Sequence, residues 1–318
     1  MFPRVAILSF ATAMFALSPA VSPGVRAQTG IDTRTLPRNQ VLVVGRVSQR
    51  RAAEHQVRME AFADWLAARL PGAGIRAGKG VVAANPKDMI AMLKDGRVDV
   101  VSETIMTALY YEERAGAELL MHEWREGRPY YRSVFVTRRD SGISDLRDLV
   151  GKRIAFMDRG STSGFLLPLA NMLAAGLKPA ALARVDDPVP AGHFGYVFSG
   201  SDLNTSAWTA DGLVSAGGFS DFDWAKEQSN PLRYREKMRI FAVTRPMLRA
   251  ALLIRRGMPA ELRAGLIRSL AHYGSAMDVA ALQATYYDVG QFVPIGAKNH
   301  RQLDEARKLY RAVRPYFD

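Results

Sequence analysis

Apolar positions along this chain fall into two alternating patterns. Short runs rich in branched and aromatic residues are typical of buried strands, and they occur at residues 41–45, 98–101, 131–137, 154–156, 213–214, 239–243 and 251–254. Longer stretches space apolar residues three and four apart, which predicts helices at residues 54–70, 86–93, 165–175, 259–273 and 302–313. Strands and helices that alternate in this way favour an α/β fold with mainly parallel sheets.

The first 27 residues have the pattern of an export signal. Arg4 precedes an apolar core at residues 5–17, and Val25-Arg26-Ala27 fits the small-residue rule for cleavage after Ala27. The apolar core is too short for a membrane span, and no later stretch is long and uncharged enough for one. We therefore expect a periplasmic protein that has no membrane span after cleavage and begins with a loose arm at residues 28–39.

Composition narrows the classes of partner and cofactor. The chain has no Cys, which excludes disulfides, a thiolate metal site and a lipid anchor on an N-terminal Cys. With five His residues besides, we expect neither a metal nor another cofactor. The formal net charge is +12, but an exported protein rarely meets nucleic acid, so we expect no nucleic-acid partner. The charge is either a solvated basic surface or a field that attracts anionic solutes.

The strongest candidate for chemistry is the segment Gly160-Ser161-Thr162-Ser163-Gly164, which lies between a predicted strand and the apolar start of a predicted helix. A helix start presents unpaired backbone N–H groups and the positive end of the helix dipole. Three hydroxyl donors beside those groups would form a socket for a tetrahedral oxyanion such as phosphate, phosphite or a phosphonate. The alternative is plain capping, because Ser and Thr are common at the starts of helices that bind nothing.

Other short sequences accompany this segment in a fixed order. They are GRVDV at residues 96–100, YRSV at 131–134, SGI at 141–143, DLVGKR at 148–153, DRGSTSGFLLP at 158–168 and AGH at 191–193. In this order they resemble the phosphonate-, phosphite- and phosphate-type periplasmic substrate-binding proteins of ABC transporters. The resemblance extends over most of residues 40–315, and the stretch at 158–168 is its most specific part.

The resemblance implies a type II periplasmic binding fold. This is an α/β architecture of two lobes, each a mainly parallel sheet flanked by helices, joined by two crossing strands. Lobe one would comprise residues 40–137 and 245–318, and lobe two residues 138–244. The family's oxyanion contacts carry over to Ser161, Thr162, Ser163, His193 and Tyr131.

The resemblance also implies a mechanism and partners. One small anionic ligand would lie between the lobes, which close on it. The protein, expected to be a monomer, would deliver the ligand to the inner-membrane permease of an ABC transporter, or report it to a sensor kinase. The sequence does not separate transport from sensing.

The sequence departs from the family where the organic tail of a ligand would be recognised. The acid expected in a turn before a late strand is absent from MLRAAL at residues 247–252. Ser215 stands where a second acid is expected, and Pro86 replaces an aromatic residue. The sequence therefore favours a small anion, or a ligand with a different tail, over an aminoalkyl phosphonate.

Glu103 is a further departure, because it follows the third strand in place of an aromatic or small polar residue. Facing the cleft, this carboxylate would repel an anion unless it pairs with a basic residue or stays protonated. The candidate basic partners are Arg46, Arg50 and Arg132. The alternative is that Glu103 faces solvent beside a helix start.

A hydrolase is the rival class of function. It would need an activated nucleophile with a base in reach. The segment at residues 160–164 has Thr162 at its centre rather than the Ser of a Gly-x-Ser-x-Gly elbow, and no His-Glu-x-x-His sequence is present. We therefore expect a binding protein and not an enzyme.

Overall fold

The computed structural model describes residues 32–48, 52–273, 279–296 and 299–317. The predicted export signal and Arg50 lie outside these residues. Two six-stranded sheets and a two-stranded ribbon organise the described part of the chain. Strands and helices are numbered in chain order below.

Sheet one has its strands in the order β14-β4-β13-β3-β1-β2. Its members are β1 (Val41–Val47), β2 (Ala77–Ala83), β3 (Val100–Thr104), β4 (Glu118–Arg125), β13 (Ala250–Ile254) and β14 (Val289–Pro294). β1, β2, β3 and β4 run in one direction, and β13 and β14 run in the other. The carboxyl ends of four strands therefore meet at one edge of this sheet.

Sheet two has the order β11-β6-β10-β7-β9-β8. Its members are β6 (Ser133–Arg138), β7 (Arg153–Phe156), β8 (Lys178–Ala181), β9 (His193–Phe198), β10 (Ala216–Ser220) and β11 (Met238–Val243). β6 alone runs against the other five. We call the parts of the chain built on these sheets lobe one and lobe two.

The two lobes are joined where β5 (Tyr130–Tyr131) pairs with β12 (Met247–Leu248) in an antiparallel ribbon. The first crossing comes earlier than the boundary expected at residue 137, because β6 pairs with β10 and β11 and so belongs to sheet two. The strand expected at residues 213–214 is also displaced, since β10 begins at Ala216. Mainly parallel sheets flanked by helices confirm the predicted type II periplasmic binding fold.

Ten α-helices connect the strands in the described residues. They are α1 (Ala52–Ala67), α2 (Pro86–Lys94), α3 (Ile105–Ala115), α4 (Leu167–Ala174), α5 (Asp202–Ala210), α6 (Asp221–Ala225), α7 (Leu232–Arg235), α8 (Ala260–Ala271), α9 (Val279–Thr285) and α10 (His300–Val313). Apolar residues of α1 and α8 cover one face of sheet one, and those of α2, α3 and α10 cover the other. The second of these cores continues through α4 into sheet two, so the lobes share buried apolar surface.

The approach of α1 to sheet one depends on glycine. A Cβ atom on Gly78 of β2 would lie 2.2 Å from the backbone carbonyl carbon of Ala63 in α1. A Cβ on Gly80 would lie 2.3 Å from the backbone nitrogen of Glu60. Because backbone cannot yield as a flexible side chain can, any larger residue would push the helix off the sheet.

Within the described ranges, no helix combines the length and apolar character that a membrane crossing requires.

Candidate functional site

The segment singled out by the sequence lies at the carboxyl end of β7, where a parallel sheet commonly positions ligand-binding groups. Ser161 caps the turn that follows: its Oγ accepts a hydrogen bond from the Gly164 N–H at 3.0 Å. A Cβ on Gly164 would lie 2.8 Å from both Met157 Cβ and Ser161 Oγ. The cap therefore requires glycine at this position.

The helix starts with a π turn at Thr162–Leu166, in which the Leu166 N–H donates to the Ser161 carbonyl oxygen at 3.0 Å. Pro168 accounts for part of this geometry, because it has no N–H to donate to the Gly164 carbonyl four residues back. That carbonyl accepts the Met157 N–H instead, at 3.1 Å. The turn is thereby tied to the end of β7.

Thr162 joins the two lobes. Its side chain is buried, its Oγ1 accepts the Met106 N–H at 3.3 Å, and its hydroxyl donates to Thr104 Oγ1 at 3.0 Å. Thr107 Oγ1 donates to the Gly160 carbonyl oxygen at 3.1 Å. These bonds hold the start of α3 in lobe one against the π turn in lobe two. Thr104, the N-cap of α3, forms no side-chain capping bond to its own helix.

Tyr131 of the crossing ribbon reaches the same place. It is 4% exposed, and its hydroxyl has no hydrogen-bond partner among the described residues. Burial raises the pKa of Tyr131 well above its usual value. The hydroxyls of Thr162 and Ser163 and the guanidiniums of Arg249 and Arg125 are near enough to oppose that rise. The phenol is therefore a protonated donor with two guanidinium groups in electrostatic range.

This arrangement suits an anion. A buried hydroxyl without a partner costs free energy, and a negatively charged oxygen would satisfy it with a charge-assisted bond. The helix start of α3 and the π turn add backbone N–H groups and the positive ends of helix dipoles. Ser133 Oγ donates to the Ser163 carbonyl oxygen at 2.8 Å, which fixes the backbone of the socket.

Glu103 and Arg46 lie across from the socket, at the carboxyl edge of sheet one. Glu103 is 6% exposed, so the alternative in which it faces solvent is wrong. Its carboxylate accepts the Val47 N–H at 3.3 Å and the Thr104 N–H at 3.0 Å. The expected ion pair with Arg46 or Arg132 is absent from the described residues, because backbone donors take up this carboxylate instead.

Arg249 lies in the segment where the family has an acid that binds the tail of the ligand. Its Nη2 donates to Glu126 Oε1 at 2.8 Å, and its guanidinium lies 4.3 Å from the ring centroid of Phe222 in lobe two. Lys226, also in lobe two, donates to the same Glu126 oxygen at 2.8 Å. The cation therefore closes an interlobe contact beside the crossing ribbon, within electrostatic range of Tyr131.

His193 does not join the socket. It begins β9, and the parallel pairing of β9 with β7 aligns Phe198 with Phe156 at the other end. Five residues of strand separate His193 from that end, a distance of roughly 16 Å. Its Nδ1 donates to the Ala191 carbonyl oxygen at 2.9 Å. The prediction that His193 contacts the anion does not fit this placement, because the residue lies at the opposite edge of the sheet.

The structure thus brings Ser161, Thr162, Ser163 and Tyr131 together, with Glu103 and Arg46 on the facing edge. Arg50 lies outside the described residues. Sequence reasoning missed the start of α3, with Thr104, Met106 and Thr107. A signal was available, because SETIMT at residues 102–107 also follows a strand with hydroxyl residues beside a helix start.

No group of three or more acidic, His or Cys residues within the described ranges is arranged to hold a metal ion.

Comparison with known proteins identifies relatives. The model of the family described as "ABC transporter, phosphonate, periplasmic substrate-binding protein" matches residues 44–299. Structures of XAC2383 from Xanthomonas citri bound to chloride and to ATP are 32% and 31% identical in sequence. The chloride complex superposes with a TM-score of 0.84 over 87% of this chain and 99% of that one. The ATP complex gives 0.83 over 88% of this chain and 100% of that one.

More distant similarities agree with the fold or cover short segments. PhnD1 from Prochlorococcus marinus, in complex with methylphosphonate, is 17% identical, with a TM-score of 0.66 over 87% of this chain and 99% of that one. The phosphate-import protein PhnD of Mycolicibacterium smegmatis is 38% identical over 71 residues, which are 21% of this chain. The tetrathionate sensor histidine kinase TtrS of Salmonella typhimurium is 45% identical over 47 residues, 15% of this chain. The matches span 22% of the length of the import protein and 8% of that of the kinase.

Proposed function

This chain belongs to the periplasmic substrate-binding proteins of phosphonate ABC transporters, and from that premise we propose that it captures a small tetrahedral oxyanion between its lobes for import. Phosphate, phosphite and phosphonates are the candidate ligands. The observation that carries the proposal is the Tyr131 hydroxyl, which is buried without a partner beside the hydroxyls of Thr162 and Ser163. An anionic oxygen at that point would satisfy it.

The charge around the socket supports an anionic ligand. Arg125 and Arg249 lie within electrostatic range of the Tyr131 hydroxyl, and the positive ends of two helices converge beside it. The nearest carboxylate in sequence to the start of α3 is that of Glu103, whose two oxygens already accept backbone N–H groups. Its negative charge is therefore partly offset, and the remaining field favours negative charge.

Three of the named relatives have anionic ligands in their names or structures. XAC2383 is bound to chloride in one structure and to ATP in another. PhnD1 is in complex with methylphosphonate, and PhnD of M. smegmatis is named for phosphate import. We propose that this chain works in the periplasm, exported and cleaved after Ala27, as a monomer that delivers its ligand to an inner-membrane permease.

Sensing is the second candidate function. The 47-residue similarity to a tetrathionate sensor histidine kinase favours a role in which the loaded protein is read by a membrane kinase. The ligand site would be the same in both cases, so the two functions differ in the partner alone. Pull-down with the detergent-solubilised permease, with and without ligand, would distinguish them.

A hydrolytic role has less support from the contacts of the hydroxyl residues. Ser161 Oγ accepts a backbone N–H, and the Thr162 hydroxyl pairs with Thr104. Neither bond involves a His or a carboxylate that could take a proton from a nucleophile. The family to which the chain belongs consists of solute-binding proteins.

Calorimetry with phosphate, phosphite, methylphosphonate and sulfate tests the proposal directly. In Thr162→Val, which keeps the shape of the side chain but removes its hydroxyl, we expect affinity for the best anion to fall at least about tenfold, because the start of α3 loses the bonds of Thr104 and Met106 to Thr162 that hold it against the π turn. Thr162→Ser should retain most of the affinity. Thr209→Val is the matched control, because Thr209 is equally buried and its Oγ1 donates only to the Thr205 carbonyl, at 2.8 Å within α5.

Two results would contradict the proposal. One is that none of the four anions binds the wild-type protein. The other is that Thr162→Val and Thr209→Val bind the best anion with equal affinity.

A further inference from the structure

The groups left unsatisfied at the carboxyl edge of sheet one are hydrogen-bond donors. This edge faces the socket, and it carries Arg46 of β1 and Glu103 of β3, with Tyr111 of α3 nearby. Arg46 and Glu103 are both near enough to the Tyr111 hydroxyl to shift its pKa in opposite directions. The residues among these three that lack a hydrogen-bond partner indicate what kind of ligand group would fit between them.

The carboxylate of Glu103 is already engaged. One oxygen accepts the Val47 N–H at 3.3 Å and the other accepts the Thr104 N–H at 3.0 Å. Both bonds come from backbone at the ends of strands, so the carboxylate is fixed in place. Glu103 is the hydrogen-bond acceptor among the three residues, and both of its carboxylate oxygens already have donors.

Arg46, by contrast, has few hydrogen-bond partners. Its side chain is half-buried, and within the described part of the chain it forms no ion pair. Its guanidinium stacks 4.8 Å from the ring centroid of Tyr287, and its Nε donates to the Val47 carbonyl at a long 3.4 Å. Its guanidinium is also close enough to the Tyr287 hydroxyl to oppose the rise that burial causes in the pKa of that phenol, but among the described residues it has no acidic partner.

Tyr111 supplies a second donor. The residue is fully buried on α3, and its hydroxyl has no hydrogen-bond partner among the described residues. Side chains on a helix lean toward its N-terminus, which here is the end that meets Thr162. Burial, reinforced by Glu103, keeps the phenol protonated by raising its pKa. A protonated phenol donates best to a negatively charged oxygen.

We propose that Arg46 and Tyr111 form a second subsite that binds an anionic oxygen group on the tail of the ligand, such as a carboxylate or a second phosphoryl group. The ligand is then a bifunctional anion: its tetrahedral end occupies the Thr162 socket in lobe two, and its second anion reaches lobe one. This inference rests on the proposed function and narrows its ligand class. A cationic tail would bind poorly here, because Arg46 and Tyr111 are donors and the Glu103 carboxylate already accepts two hydrogen bonds.

Phosphonates that differ only in their tails test this subsite. Calorimetry would compare phosphonoacetate and 3-phosphonopropionate with methylphosphonate, ethylphosphonate and 2-aminoethylphosphonate. We expect the better phosphonocarboxylate to bind at least about tenfold more tightly than the alkyl phosphonate of matching size, because it gains charge-assisted bonds. In Arg46→Gln and in Tyr111→Phe, this ratio of affinities should fall by about tenfold or more.

Tyr273→Phe is the control for Tyr111→Phe. The Tyr273 hydroxyl is also buried without a partner, but it packs with α1 and β14 on the other face of sheet one. Removing an unpartnered hydroxyl should not destabilise the fold in either variant. Only Tyr111→Phe should change the affinity ratio, so loss of stability cannot be mistaken for loss of the subsite.

The outcomes separate the two proposals. If methylphosphonate binds but phosphonocarboxylates gain nothing over alkyl phosphonates, the subsite is wrong and the oxyanion socket stands. An aminoethylphosphonate that binds as tightly as phosphonoacetate, or an affinity ratio unchanged in Arg46→Gln, also overturns the subsite. If no phosphonate and no phosphate binds, the proposed function itself fails.

Discussion

The buried tyrosines differ in whether their hydroxyl has a hydrogen-bond partner within the protein. Tyr286 donates to Glu123 at 2.8 Å and Tyr310 donates to Glu113 at 2.8 Å, as buried phenols normally do. Tyr131 and Tyr111 have no such partner: Tyr131 lies beside Thr162 at the interlobe contact, and Tyr111 lies near Glu103 and Arg46. We expect these two hydroxyls to serve binding rather than stability.

Substitution of Tyr131 by Phe measures this difference. The ligand-free protein should keep its melting temperature or gain slightly, because the variant loses a hydroxyl that has no partner. The rise in melting temperature caused by a fixed, saturating concentration of phosphate or methylphosphonate should shrink, since the stabilisation grows with the logarithm of ligand concentration over dissociation constant. Differential scanning calorimetry of both forms, with and without ligand, gives the two quantities.

Tyr286→Phe supplies the contrast for that measurement. It removes a donor from Glu123, which is fully buried, so the ligand-free melting temperature should fall. The binding assignment of Tyr131 is wrong if Tyr131→Phe behaves like Tyr286→Phe, with a lower melting temperature and an undiminished ligand-induced shift.

The hypothesis that Ser161, Thr162, Ser163 and Tyr131 share one site rests on a local motif beside a strand end, and the structure places these four residues together. Sequence reasoning failed for His193, because its role depends on which end of β9 it occupies, and that follows from the pairing register of the sheet. The same limit applies to Arg46 and Glu103. Their spacing in sequence gives no indication that backbone N–H groups, and not an arginine, satisfy the carboxylate.

At the scale of elements, most strands and helices follow from the hydrophobic pattern, but α3 does not. Its residues Ile105 to Tyr111 are all buried, because the helix packs between sheet one and lobe two. The first seven residues of α3 therefore show no exposed face for the pattern to reveal, although Glu113 and Arg114 near its end are exposed. The start of this helix is also the half of the socket that sequence reasoning missed.

The π turn is the element whose geometry can be tested alone. Pro168→Ala supplies an N–H that competes with Met157 for the Gly164 carbonyl, and so allows an ordinary α-turn. We expect the affinity for the best anion to fall several-fold, because Thr162 and Ser163 rotate away from Tyr131. The melting temperature should change by only a few degrees, since alanine favours a helix.

Calorimetric titration and thermal unfolding of Pro168→Ala provide both values. Pro71→Ala is a suitable control, because Pro71 begins a short 3-10 turn in lobe one far along the chain from the site. Equal anion affinity in the wild type and in Pro168→Ala would mean that the π turn does not set the socket geometry.

For the whole molecule, two of the features that join the lobes differ in their chemistry. One is the shared apolar core that runs from α3 and α10 into α4. The other is the contact at Glu126, which accepts Arg249 and Lys226 at 2.8 Å each, with Phe222 lying 4.3 Å from Arg249 and 4.8 Å from Arg128. Apolar contact sets how closely the lobes fit, and the charged contact makes their closure sensitive to pH.

Burial would raise the pKa of Glu126, but hydrogen bonds and charges from Lys226 and Arg249 outweigh it and lower the pKa below its usual value. A carboxyl group with a lowered pKa in the closed form stabilises that form above the ordinary carboxyl pKa of about 4.3. That stabilisation is lost as the pH falls through the lowered pKa. The closed arrangement should therefore loosen as the pH falls below the ordinary carboxyl range, from about pH 5 downward, and not on the alkaline side.

Small-angle X-ray scattering of the ligand-free protein across that pH range tests this expectation, because opening of the lobes increases the radius of gyration. Glu126→Gln should already be more open at pH 7 and should lose most of the acid-induced change. Glu118→Gln is the matched control, because Glu118 forms an exposed pair with Arg263 at 3.7 Å within lobe one. If both variants keep the wild-type profile, Glu126 does not control closure of the lobes.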